Sequence, residues 1–186
     1  RTKWISQRAH VADATGGSPT GKNRIVDNGT MVGQGQSFIP PTSTEKLVEA
    51  RVQLQIGAGT PTGPVYAELY DSNDASPAIP TGAAWARSED VLASAITSAY
   101  EEVIFRFNRF NPATGADQYT GLDLDQGTNP QYFIVLNHPT GDAGNYFHVQ
   151  GSEADQDTTM NRADYNGTVW TADATDDLNL TVKSCP

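Results

Sequence analysis

Few residues in this 186-residue chain have the types and spacing that chemistry requires. A glycine-rich segment, Gly16-Gly17-Ser18-Pro19-Thr20-Gly21-Lys22-Asn23, approaches the phosphate-binding loop pattern. That loop needs a Ser or Thr after the lysine to ligate Mg²⁺, with a strand before it and a helix after it. Asn23 stands at the ligand position, and neither flanking element is readable, so phosphate binding is not expected. His10, His138 and His148 share no metal-ligand spacing, and no Gly-x-Ser-x-Gly elbow marks a nucleophile. Carboxylate pairs are abundant: Glu101/Glu102, Asp123/Asp125, Glu153/Asp155/Asp157 and Asp173/Asp176/Asp177. Glycosidic acid–base work needs two carboxyls at a set separation across a cleft, which neighbours in sequence do not provide. No catalytic residue is assigned, and enzymatic activity is not expected.

Calcium is a better use for such acids, because Ca²⁺ takes hard oxygen ligands from loops and strand ends. Asp71, Asn73 and Asp74 leave a strand, and Asp123 and Asp125 fall on one strand face. Neither group has the full loop with its central Gly and terminal Glu, so calcium is the only cofactor kept open. Aromatic residues are the remaining lead. If Val65, Ala67 and Leu69 point inward, Tyr66 and Tyr70 point outward, and the same parity turns Tyr146 and His148 outward. Sugar-binding domains offer such rings as platforms for pyranose faces, while a partner subunit or a chain segment can cover them equally well. These four residues form the expected ligand or partner surface.

The elements that must position them are strands. Val48 to Ile56 alternates apolar and polar residues without a break. Val65, Ala67 and Leu69 alternate with Tyr66, Glu68 and Tyr70, Val103, Phe105 and Phe107 with Glu102, Ile104 and Arg106, and Phe147 and Val149 with Tyr146, His148 and Gln150. Tyr132 to Leu136 is apolar on both faces, the mark of a central strand. Leu178, Leu180 and Val182 close the series, and weaker strands are expected at 37–39, 84–87, 122–124, 159–162 and 168–170. Asn166-Gly167 is a two-residue hairpin signal. Helical periodicity is confined to a possible turn within residues 88–99. Many short strands separated by turn residues predict an all-β sandwich or barrel.

Charge narrows the partners. Twelve basic against 22 acidic residues leave −10, which repels nucleic acid and anionic membrane surfaces. No run approaches the ~20 apolar residues of a membrane span. A single cysteine, Cys185, forbids an intrachain disulfide. Sequons at Asn28, Asn166 and Asn179 matter only in a glycosylating host. The chain opens on Arg1 rather than Met, as a processed product or a fragment would.

Residues 1–35 differ from the rest, being rich in glycine and carrying five basic residues against Asp13 and Asp27. Their +3 faces −13 on the remainder. This predicts an extended N-terminal arm with little strand of its own, docked through Trp4 and Ile5 on an acidic surface of its own domain or a neighbour's, with a disordered linker as the alternative, and a β-sandwich domain over 36–186. Deleting the arm would then leave the sandwich folded.

Particular stretches resemble a known class of domain: Gly35-Gln36-Ser37-Phe38, residues 59–70 from Gly59 to Tyr70, Pro80-Thr81-Gly82, Tyr100 to Phe107, Tyr132 to Leu136 and Gly144-Asn145-Tyr146-Phe147. Together they look like the jelly-roll modules of tailed-phage structural (decoration and tail) proteins and of secreted bacterial surface proteins, over Gln36 to about Val182. The resemblance implies a jelly-roll-like antiparallel β-sandwich. It also implies a non-enzymatic structural module of a virion, such as a capsid decoration or tail-associated protein. Its partners would be subunits of the same assembly, as a homo-oligomer or bound to a capsid. The alternative it implies is a carbohydrate-binding or adhesin module of a secreted bacterial protein, with a glycan as partner. The location would be the virion surface in the first case and the extracellular space or cell surface in the second.

Overall fold

The computed structural model describes residues 5–8, 23–26, 29–40, 46–118, 124, 131–151, 160–175 and 177–185. Among these, the regular elements are strands, apart from one 3₁₀ turn at Ala93–Ala95 where a helical turn was expected. In chain order they are β1 (Ile5–Arg8), β2 (Asn23–Val26), β3 (Gly33–Phe38), β4 (Lys46–Ala58), β5 (Pro64–Ser72), β6 (Pro80–Arg87) and β7 (Val91–Leu92). They continue with β8 (Glu101–Arg106), β9 (Tyr132–Asn137), β10 (Tyr146–Gln150), β11 (Arg162–Tyr165), β12 (Trp170–Asp173) and β13 (Leu180–Cys185). No helix among the described residues is long and apolar enough to cross a membrane.

Two antiparallel sheets pack face to face, the all-β sandwich that alternation predicts. One has six strands in the order β1-β13-β4-β10-β2, with β8 on the other edge of β4. Val52 stands opposite both Leu180 and Val103, and Leu54 opposite both Val149 and Glu101. The 13-residue β4 is thus long enough for β13 and β10 to lie end to end along one edge while β8 takes the other. The second sheet has seven strands, β12-β11-β3-β9-β5-β6, with β7 on β5. Period two sends Val52, Leu54, Phe105, Phe147 and Val149 inward from the first sheet, to meet Val65, Ala67, Leu69, Ile134 and Leu136 from the second. Asn166-Gly167 turns β11 into β12, with Gly167 at φ 90° as that hairpin requires.

The described segments of the first 35 residues do not stand apart. β1 pairs with β13 from Ile5↔Ser184 to Arg8↔Thr181, and β2 pairs with β10. The boundary expected at residue 35 falls inside β3, which lies between β11 and β9 in the middle of the seven-stranded sheet. All six residues of β3 are buried. The segment hid its strand because the buried inward side chains are polar. Gln34 donates to Asp164 Oδ1 at 3.2 Å. Gln36 donates to Asp177 Oδ1 at 3.0 Å and accepts from the Leu178 N–H at 2.7 Å. Arg162 pairs with Asp164 at 2.8 Å and Asp173 at 2.5 Å beside them. Glutamine paired this way tolerates burial, whereas a composition count reads it as solvent-facing. Trp4 lies outside the described residues.

Deletion of residues 1–35 removes half of β3, so it is expected to abolish the cooperative melt rather than leave the sandwich intact. Phe105→Ala, at a fully buried site, is expected to cost about 3–5 kcal/mol. Denaturant unfolding measures both; a truncated chain that melts like the full one would show that β3 is dispensable.

Candidate functional site

β5 crosses the seven-stranded sheet with Tyr66, Glu68 and Tyr70 outward and Val65, Ala67 and Leu69 in the core. Registration sets their neighbours. Tyr66 stands opposite Asn137, Glu68 opposite Val135 and Arg87, and Tyr70 opposite Phe133. Glu68 is the centre. Its Oε2 accepts from the Tyr70 hydroxyl at 3.2 Å and from Asn137 Nδ2 at 3.0 Å. Its Oε1 takes no hydrogen bond from the described residues. Arg87 does not close on Glu68; its guanidinium lies 3.8 Å from the centroid of the Tyr66 ring and donates to Asp90 at 2.6 Å. Burial, the largest influence on Glu68, raises its pKa against the opposing hydrogen bond from Tyr70, the charge of Arg87 and the hydrogen bond from Asn137. Burial, followed by the Glu68 charge, also raises both tyrosines.

The opposite edge of the same face brings two more rings. Trp170 of β12 meets Tyr165 of β11 at 4.9 Å between centroids and Tyr70 at 6.3 Å, edge-on. Both residues are half-buried, as are Tyr66 and Tyr70. Between them the floor is low because β3 contributes glycines there. A Cβ at Gly35 would sit 3.2 Å from both Phe133 Cδ1 and Val135 Cγ2. Asn161 clamps the side of the face, exchanging hydrogen bonds with Ala78 at 2.9 and 2.7 Å and holding Ala78 and Ile79 beside the rings. The result is a shallow, aromatic-lined face with one half-buried carboxylate at its centre. Such a face can stack a flat ligand and accept hydrogen bonds from its hydroxyls.

The expected site residues divide. Tyr66 and Tyr70 belong to this face, but Tyr146 and His148 lie on the outer face of the six-stranded sheet, because β10 sends Phe147 and Val149 into the same core. One surface of four residues is therefore two surfaces. Ile5 is placed by its backbone pairing with Ser184. Asp71 Oδ1 caps the Ser72 N–H at 3.0 Å, Asn73 Oδ1 accepts from Ala75 and Ile79, and Asp74 is exposed at φ 53°. Asn73 thus spends its carbonyl on the turn, while Asp123 and Asp125 lie outside the described residues. Among the described residues no group of three or more His, Cys, Asp or Glu is placed to hold a metal. His138 is fully buried against Phe147, with Nε2 2.9 Å from the Thr62 carbonyl oxygen.

Sequence reasoning missed Glu68, Arg87, Asn137, Tyr165 and Trp170. The outward parity of β5 was a signal for Glu68, but strands distant in sequence supply the others. Comparison with protein-family models, with curated proteins and with solved structures finds no match.

The raised pKa of Glu68 fixes the sign of a pH effect. The folded chain holds this proton more tightly than the unfolded one. Stability contributed here is therefore full below the ordinary value of 4.5 and falls as pH rises through the raised folded-state value. Glu68→Gln removes the titration while keeping an acceptor for Tyr70 and Asn137. It is expected to melt at a higher temperature than the parent at neutral pH, with the gap closing below 4.5. Thermal melts across pH check this; equal or lower melting of the variant at neutral pH would refute it.

Proposed function

We propose that this chain is a non-catalytic glycan-binding module that takes neutral pyranose units on the outer face of the seven-stranded sheet. The observation that carries this is Glu68, half-buried with one oxygen unclaimed by the described residues, among the partly exposed rings of Tyr66, Tyr70, Tyr165 and Trp170. A pyranose has apolar C–H faces and a rim of hydroxyls. The faces suit the negative π-surface of a ring, and the hydroxyls suit a carboxylate acceptor. The formal charge of −10 disfavours uronic-acid and sulfated polymers and favours uncharged ones. A module of this kind works outside the cell or at a cell surface.

The rival reading is a virion subunit, a capsid decoration or tail-associated protein binding neighbouring copies. Its support came from an N-terminal arm free to clasp a neighbour, and that support is reduced, since β1 and β2 pair within their own sheet. Such a subunit would act at a virion surface.

Affinity electrophoresis in gels containing galactomannan, hydroxyethyl cellulose, xylan or soluble starch tests the proposal, with polygalacturonate as the anionic control. At least one neutral polymer is expected to retard the chain, and polygalacturonate is not. Trp170→Ala and Glu68→Gln are each expected to weaken binding at the seven-stranded face about tenfold, equivalent to ~1.4 kcal/mol. Retardation by none of the neutral polymers would refute the glycan reading. Self-association in light scattering would then turn attention to the virion subunit.

A further inference from the structure

The geometry points to a second pyranose site on the outer face of the six-stranded sheet, so that one chain binds two glycan strands on opposite sides and cross-links them. This rests on the glycan-binding reading above. The site is built from β10 and the end of β4. Tyr146 lies against Gly57. A Cβ there would stand 2.6 and 2.7 Å from its Cε2 and Cδ2 and 3.0 Å from His148 Cδ2. Any side chain at 57 would push the ring off the sheet. Glycine in a strand interior weakens the strand unless something packs on it, and here the tyrosine does.

Among the described residues, the polar side chains recorded beside the ring, Gln55 and His148, carry no formal charge. Gln55 Nε2 lies 3.4 Å from His148 Nδ1, and the His148 ring sits 5.5 Å from that of Tyr146, tilted by 52°. Neither Gln55 Oε1 nor His148 Nε2 takes a hydrogen bond from the described residues. Burial lowers the His148 pKa and so favours the neutral imidazole. Farther along the face, four charged side chains pair with one another. Glu49 holds Arg51 at 2.6 Å and Lys183 at 2.7 Å, and Arg51 also reaches Glu102 at 2.9 Å. A phosphate, sulfate or carboxylate finds no free cation beside Tyr146 among these groups. A neutral hydroxylated ring finds a stacking surface, an amide oxygen and an imidazole. These partners suit an uncharged sugar.

Two sites facing opposite ways cannot both bind one short saccharide. They can bridge neighbouring segments of a polymer, where linkage raises avidity by roughly 10²–10⁴ over either site alone. The proposal therefore predicts cross-linking as well as affinity.

The full chain is mixed with galactomannan, hydroxyethyl cellulose, xylan or soluble starch, and turbidity is read alongside retardation in affinity gels. The polymer that retards the parent chain is expected also to be clouded by it. Tyr146→Ala and the milder Gln55→Ala are expected to stay retarded through the first face while losing turbidity. Their apparent avidity should fall by roughly 10²-fold. Tyr146→Ala combined with Trp170→Ala is expected to migrate as in a polymer-free gel. Unchanged turbidity in both Tyr146→Ala and Gln55→Ala would overturn the second site and leave the first standing. Absence of retardation of the parent by every polymer would overturn the glycan reading and this inference with it. Gln55→Ala removes only an amide at the surface, so its matching melt separates loss of binding from loss of fold.

Discussion

β9 cannot leave either of its faces to water. Tyr132, Ile134 and Leu136 face the core between the sheets, while Phe133 and Val135 face outward and are no more than 2 % exposed. An antiparallel sheet ordinarily keeps one solvated face. Here the outer face needs its own cover, because burying side chains of this size stabilises by roughly 1.5–3 kcal/mol each. Tyr70, Ile79, Trp170 and Ala78 supply it. Gly35 leaves room for Phe133 and Val135, and Asn161 ties the Ala78 segment down. Two of the rings on the face of Glu68, Tyr70 and Trp170, are gathered there by this second, smaller core. The same contacts hold the carboxylate away from bulk water, which is why its proton is held more tightly.

The inner face solves the reverse problem. β3 and β11 bring Gln34, Gln36, Arg162 and Asp164 into the layer between the sheets, where unpaired groups would be costly. Each side chain finds at least one partner: the Arg162 guanidinium in Asp164 and Asp173, Gln36 in Asp177 and the Leu178 backbone, and Gln34 Nε2 in Asp164. Gln34 Oε1 is buried with no hydrogen bond from the described residues. Buried ion pairs of this kind add little net stability over apolar packing. They do select a register, since a one-residue slip of β3 would move both glutamines away from their acceptors and lay them over Phe133 and Val135. The polar inner network and the apolar outer cover are therefore two consequences of one strand register.

The two outer faces share a construction. In each, an aromatic ring stands over a strand glycine, Phe133 at Gly35 and Tyr146 at Gly57, and the face carries an amide side chain: Asn137 on one, Gln55 on the other. They differ in charge among the described residues, since Glu68 and Arg87 occupy the first and the side chains recorded beside Tyr146, Gln55 and His148, carry no formal charge. Alternation along β5 and β10 places them on opposite sides, because both strands commit their other residues to one shared core.

Period-two alternation was enough to establish the all-β class, the strands at 48–56, 65–70, 102–107, 132–136 and 146–150, the hairpin at Asn166-Gly167, and the outward direction of Tyr66, Tyr70, Tyr146 and His148. These are local properties, set by which neighbours in the chain can share a face. The register of one strand on another is not local. It decided that Tyr66 and Tyr146 lie on different surfaces, and that Glu68 receives Tyr70 and Asn137. It placed Trp170, distant from Tyr70 in the chain, at 6.3 Å from its ring. It also brought the polar, glycine-rich β3 into the middle of a sheet. Composition reads such a segment as an arm, because hydrogen-bond partners that make buried glutamines tolerable come from residues more than 100 positions away.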